Sequence, residues 1–145
     1  MSDNFFYISI LKHDCLNDLI EFSGKSRNFF LIIDLDSVVS EIQVEVSLKR
    51  ARRRMENNSR VRELGPLVLM YISGQPQVGN GIKAAGISMR TSRAMIVYDE
   101  RDELEKFLKE FQGMVEQILP SPLPHDNPAK DSEVFFAMSY VDFQP

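Results

Sequence analysis

Apolar positions along the chain predict strands at three places. Phe5 to Leu11 is aromatic and β-branched and predicts a first strand. Asn28 to Leu35 (NFFLIIDL) is almost continuously apolar, the pattern of a strand covered on both faces. Ala94 to Tyr98 (AMIVY) predicts another. Elsewhere the spacing is helical. Leu16, Leu19, Ile20 and Phe22 suit a short helix capped by Asp14 and stopped by Gly24. A long helix over 37–57, begun by Asp34 or Asp36, carries two stripes: Val38, Val39, Ile42 and Val46, then Val44, Leu48, Ala51 and Met55. Continued in register, the first stripe reaches Lys49 and Arg53. The first half of this helix is therefore expected to be buried, and the second to emerge with its arginines fanned around it.

Leu64, Leu67, Val68, Tyr71 and Ile72 form a complete helical face. Pro66 fits its first turn and Gly74 its C′ position. Pro76 suits the first position of another helix, with Val78, Ile82 and Ala85 inward and Gly86 as its stop. Asp99 to Glu116 reads as an acidic amphipathic helix that buries Leu104, Phe107, Leu108, Phe111 and Val115. Pro120, Pro122, Pro124 and Pro128 predict a broken connection over 119–131. Ser132 to Phe143 fits a strand by propensity and a helix with Asp131 as its cap. The expected class is α+β (mixed α/β), with central helices packed against a small mixed β-sheet.

At 145 residues the chain suits one domain, 1–145, large enough to bury a real core. No cationic start leads into an apolar stretch, so no secretory signal is expected. No run approaches the roughly 20 apolar residues of a membrane helix, so no membrane partner is expected. Cys15 is the sole cysteine, which excludes an internal disulfide and a cysteine-cluster zinc site. A cytoplasmic protein is the reading these features favour.

Charge changes the picture. The net charge is −4, yet Lys49 to Arg62 holds seven basic residues against the single acid Glu56. Such an island in an acidic body attracts an anionic partner locally. Guanidinium groups bind phosphates bidentately, while cations near a helix C-terminus are also favoured by the dipole alone.

Candidate catalytic patterns are few. Gly79-Asn80-Gly81-Ile82-Lys83-Ala84 spells GxGxxA, with Asp99 some twenty residues on, the outline of a dinucleotide fingerprint if a strand precedes it. The helical face from Leu64 to Ile72 and the early stop at Gly86 favour a small-residue helix instead. His13 and His125 have no ligand spacing. No serine has a nucleophile-elbow setting. Asp34 and Asp36 fit helix capping. The residues thus describe a module with a basic patch; neither an enzyme nor a cofactor is expected.

Tyr71-Ile72-Ser73-Gly74, Gln77-Val78, Ile82, Gly86-Ile87 and the strand AMIVY resemble, in order and spacing, the kinase-binding subunit family of the KEOPS (EKC) complex. Ile33-Asp34-Leu35-Asp36, Val38 and the long helix look like that family's preceding segment. The resemblance covers about residues 28–98. It implies a non-catalytic subunit of a tRNA-modification complex that makes threonylcarbamoyladenosine. That subunit binds the complex's small atypical kinase and helps recruit tRNA through its 3′ CCA end. On this basis Arg50, Arg53, Arg54, Arg60 and Arg62 are expected to meet tRNA phosphates. Ser73, Gly74 and Gln77, with free backbone N–H groups at a helix junction, would hold the tRNA end. Val78, Ile82 and Ile87 would pack on the kinase. The resemblance also makes 132–143 a closing helix.

Overall fold

In β1 (Phe5–Ile10), Ile8 and Ile10 face the sheet core, two residues apart as the pleat requires. A computed structural model describes residues 4–57 and 61–143 of the chain. The fold class is α+β: among the described residues there are six α-helices and one four-stranded sheet. The chain divides into two compact units. One runs to Asp36 and resumes from Ile87 to Pro122. The other takes Ser37–Gly86 and the chain from Leu123 on.

The sheet unit orders its strands β2-β3-β1-β4, with β2 at Phe30–Asp34, β3 at Arg93–Tyr98 and β4 at Val115–Gln117. Every strand pair is antiparallel, where a mixed sheet was expected. Phe30, Ile32, Ala94, Ile96 and Tyr98 join Ile8 and Ile10 in one core. Leu19 from α1 (Leu16–Lys25) and Leu104, Phe107 and Phe111 from α5 (Arg101–Glu110) and its end complete it. Phe22, Phe30, Phe107 and Phe111 pack ring to ring, with centroids 4.9–6.0 Å apart. Leu31 and Ile33 are buried as well, so β2 has no solvent face, as its continuous apolar run requires.

Two boundaries differ from expectation. Asp14 lies in a 3-10 turn, His13–Cys15, and caps nothing; α1 runs through Gly24 to Lys25. The acidic helix stops at Glu110, because Gly113 at φ +85° turns the chain back. Val115 then enters β4 beside Ile10 of β1 instead of extending the helix face.

The helical unit contains α2 (Glu41–Glu56), α3 (Leu64–Ser73), α4 (Val78–Ala85) and α6 (Pro128–Asp142). α3 is central: Leu67 to Ile72 are six consecutive buried residues, and α2, α4 and α6 all pack on it. It ends in a Schellman turn, with Gly74 at φ +68° and the N–H groups of Gly74 and Gln75 donating to the carbonyls of Tyr71 and Met70. A Cβ on Gly74 would also lie 2.8 Å from Ala137 Cβ on α6. Ala137 therefore packs directly against this turn.

α4 buries Ala85 as expected but not the two larger apolar residues expected beside it. Gly81 and Ala85 are buried, while Val78 and Ile82 are 41% and 46% exposed. The reason is distance. A Cβ on Gly81 would stand 2.9 Å from the Met70 side chain and 3.0 Å from its Cα. Helices this close admit only small residues between them, so the larger ones face out. Pro76 precedes the helix, and Gln77 is its N-cap.

Candidate nucleic-acid interface

Ser40 starts α2, not Asp34 or Asp36. Its hydroxyl accepts the Gln43 N–H at 3.2 Å, and Gln43 Oε1 accepts the Val39 N–H at 2.7 Å. Ser40-Glu41-Ile42-Gln43 carries the capping-box pattern. The displaced aspartate works in the sheet unit, where Asp34 accepts from the Thr91 hydroxyl at 3.0 Å and from the Asp36 N–H. The remaining first-turn donors of α2, Glu41 N–H and Ile42 N–H, go to the carbonyls of Pro124 and His125. The proline-rich connection thus satisfies a helix end.

A buried polar line fixes α2 against its neighbours. Gln43 Nε2 donates at 3.0 Å to Ile72 O, one of the last carbonyls of α3. The Ser40 hydroxyl donates at 2.6 Å to Asp131, which is 5% exposed. The other Asp131 oxygen accepts the Asn127 N–H at 2.7 Å, within the first turn of α6, where a carboxylate is favoured. Asp131 is therefore not the cap of a helix starting at Ser132; that helix begins earlier, at Pro128.

With its first half fixed this way, α2 presents its basic half. Arg50, Arg53, Arg54 and Asn57 recur at i, i+3, i+4 and i+7, which is one face. With Tyr71 of α3 and Asp142 of α6 they line a groove of roughly 200 Å³. Arg50 donates to Asp142 Oδ2 at 2.8 Å, and the Tyr71 hydroxyl donates to Asp142 Oδ1 at 2.5 Å. Arg54 donates to Val141 O, a carbonyl in the last turn of α6. Arg53 is exposed. Burial of Tyr71 pushes its phenol above the ordinary value, and the adjacent Asp142 carboxylate pushes the same way against the opposing pull of Arg54. The phenol is thus held as a neutral donor beside the guanidinium groups. Such a set can hold and neutralise a phosphate.

The other expected contacts fare differently. Arg62 is exposed and lies outside this groove lining; Arg60 is outside the described residues. At the junction 73–77, two of the expected donors are used within the fold. The Ser73 hydroxyl donates to Leu69 O and Met70 O, and the Gly74 N–H is used in the helix stop. Gln77 remains exposed. Ile87 packs on the core of the sheet unit. The glycine pattern does not build a dinucleotide turn: α3 replaces the required strand, and Gly79 to Ala84 lie within α4.

Among the described residues, no group of three or more His, Cys, Asp and Glu side chains is placed to hold a metal ion. No described helix is long and apolar enough to cross a membrane. No family model and no curated protein matches the chain.

Proposed function

We propose that this chain is a non-catalytic subunit of a KEOPS-type tRNA-modification complex, serving the formation of threonylcarbamoyladenosine. In this reading it binds the complex's small atypical kinase and helps recruit tRNA through its 3′ CCA end. The observation that carries the RNA part is the single face formed by Arg50, Arg53 and Arg54 around the Tyr71 hydroxyl. Arg50 and Arg54 are drawn there by Asp142 and the Val141 carbonyl, and the exposed Arg53 stands on the same face beside them. The outward Val78 and Ile82 on α4 support the kinase part, because their side chains are available to a partner. The cytoplasm, where tRNA is modified, is the compartment that goes with this role.

Direct binding of tRNA to the full chain, measured across a salt series, tests the reading. Binding is expected to weaken steeply with salt, with a slope of about 0.7–0.9 per phosphate neutralised. Arg53→Glu is the cleanest charge reversal, since Arg53 is exposed whereas Arg50 and Arg54 are tied to α6. It is expected to lower affinity about tenfold or more. Equal binding of intact tRNA and tRNA lacking its CCA end would sink the 3′-end component. Kinase co-purification that survives Val78→Asp together with Ile82→Asp would remove the kinase component.

A further inference from the structure

The arginine groove already holds an anion of its own. Asp142 is the last residue of α6, the end of a helix where the dipole disfavours a carboxylate. Both of its oxygens are nonetheless engaged, one by Arg50 and one by the Tyr71 hydroxyl. Arg53 and Asn57 line the rest of the groove, and Arg54 holds the adjoining Val141 carbonyl. A carboxylate presents two oxygens to a guanidinium as a phosphate does.

We infer that Asp142 is a resident counter-ion standing in a phosphate site, and that a phosphate of an RNA ligand displaces it from Arg50 and Tyr71. This rests on the reading of the α2 face as RNA-binding. The exchange needs no unfolding of α6. The Asp142 side chain is 45% exposed and can swing into solvent, while Val141 and Met138 are fully buried and keep the helix seated. Displacement makes Asp142 a discriminator. Ligands with one weak charge do not outcompete a tethered carboxylate, whereas a polyphosphate or an RNA backbone brings several charges and also engages Arg53.

The test compares the full-length protein with Asp142→Asn, which keeps the shape and removes the charge. Tripolyphosphate at millimolar concentration is expected to raise the melting temperature of Asp142→Asn at least about twice as much as that of the parent. The phenol of Tyr71, identified by difference from Tyr71→Phe, is expected to titrate at lower pH in Asp142→Asn, because a raising charge has gone. tRNA affinity should rise about threefold to fivefold, with the salt slope little changed, since Arg50 neutralises a phosphate in both proteins. Equal tripolyphosphate responses, or a Tyr71 titration that does not move, overturn the inference. So does a lower melting temperature with no gain in ligand response, which marks Asp142 as a helix-end tether alone; Asp142→Ser repeats the comparison if the asparagine variant folds poorly. A clear tripolyphosphate difference with no tRNA binding by either protein leaves the phosphate site standing and removes the proposed function.

Discussion

In the sheet unit, the interior is filled by rings and branched side chains: Phe22, Phe30, Phe107 and Phe111 meet edge to face or tilted, over Ile8, Ile32 and Ile96. In the helical unit, the interior also holds Ser40, Gln43 and Asp131 joined by hydrogen bonds, where the polar residues buried in the sheet unit are Thr91 and Glu103, and the closest helix contact of the helical unit is made through Gly81. Bulk stabilises the first unit through apolar area, with little demand on orientation. Hydrogen bonds and close approach stabilise the second, where position matters more than volume, since a buried polar group left unpaired is expensive. The α2 arginines sit on the second kind of scaffold. That suits a groove whose donors must converge.

This contrast can be broken by substitution. The largest effect is expected from Phe107→Ala, which empties the centre of the aromatic cluster and should lower stability by about 3–5 kcal/mol in guanidinium unfolding followed by circular dichroism. A loss under about 1 kcal/mol would show that the ring cluster is not what holds the sheet unit. Next comes Asp131→Ala, which strands the Ser40 hydroxyl and the Asn127 N–H and should cost about 2–3 kcal/mol. In hydrogen exchange its damage should appear first in α2 and α6. Uniform loss across the sheet would contradict the local role assigned to the polar line. The smallest and sharpest comparison pairs two glycines of one helix. Gly81→Ala pushes a methyl into Met70 and should destabilise by about 1–3 kcal/mol. Gly79→Ala meets nothing within 4 Å and should stabilise by about 0.5–1 kcal/mol through helix propensity. If both move the same way, close packing is not the reason for Gly81.

The same contrast explains what was legible in the sequence. β1, β2, β3 and α3 follow directly from apolar periodicity, because burial of area sets their faces. β4 is three residues long, too short for alternation to register, and only Gly113 hints at the reversal before it. In α4 Ala85 is buried as its spacing predicts, but Val78 and Ile82 face out, because approach distance and not side-chain volume rules there. The cap signal at Ser40 lies in its capping-box spacing to Gln43, and the two aspartates before it carry the same residue-type signal without that spacing. At the groove, the arginine run was visible as a cluster. Tyr71 and Asp142 were not, since they reach it from α3 and α6, and Asp142 is separated from Tyr71 by 71 positions. An acid at the wrong end of a closing helix was the one available signal.

The strand order also bears on how the chain can be made. β1 and β2 do not pair with each other; each pairs with β3. The first two strands therefore leave the ribosome without partners, and no β-ladder exists until Arg93–Tyr98 has been synthesised. In the interval α2, α3 and α4 have the most extensive neighbours close in sequence to fold against, with α1 and β2 making a smaller contact. These contacts bring little loop-closure penalty and form fast. A nascent chain stalled before Arg93 should accordingly carry helical signal and an exposed Phe30–Ile33 run, the segment on which a chaperone would be expected to act.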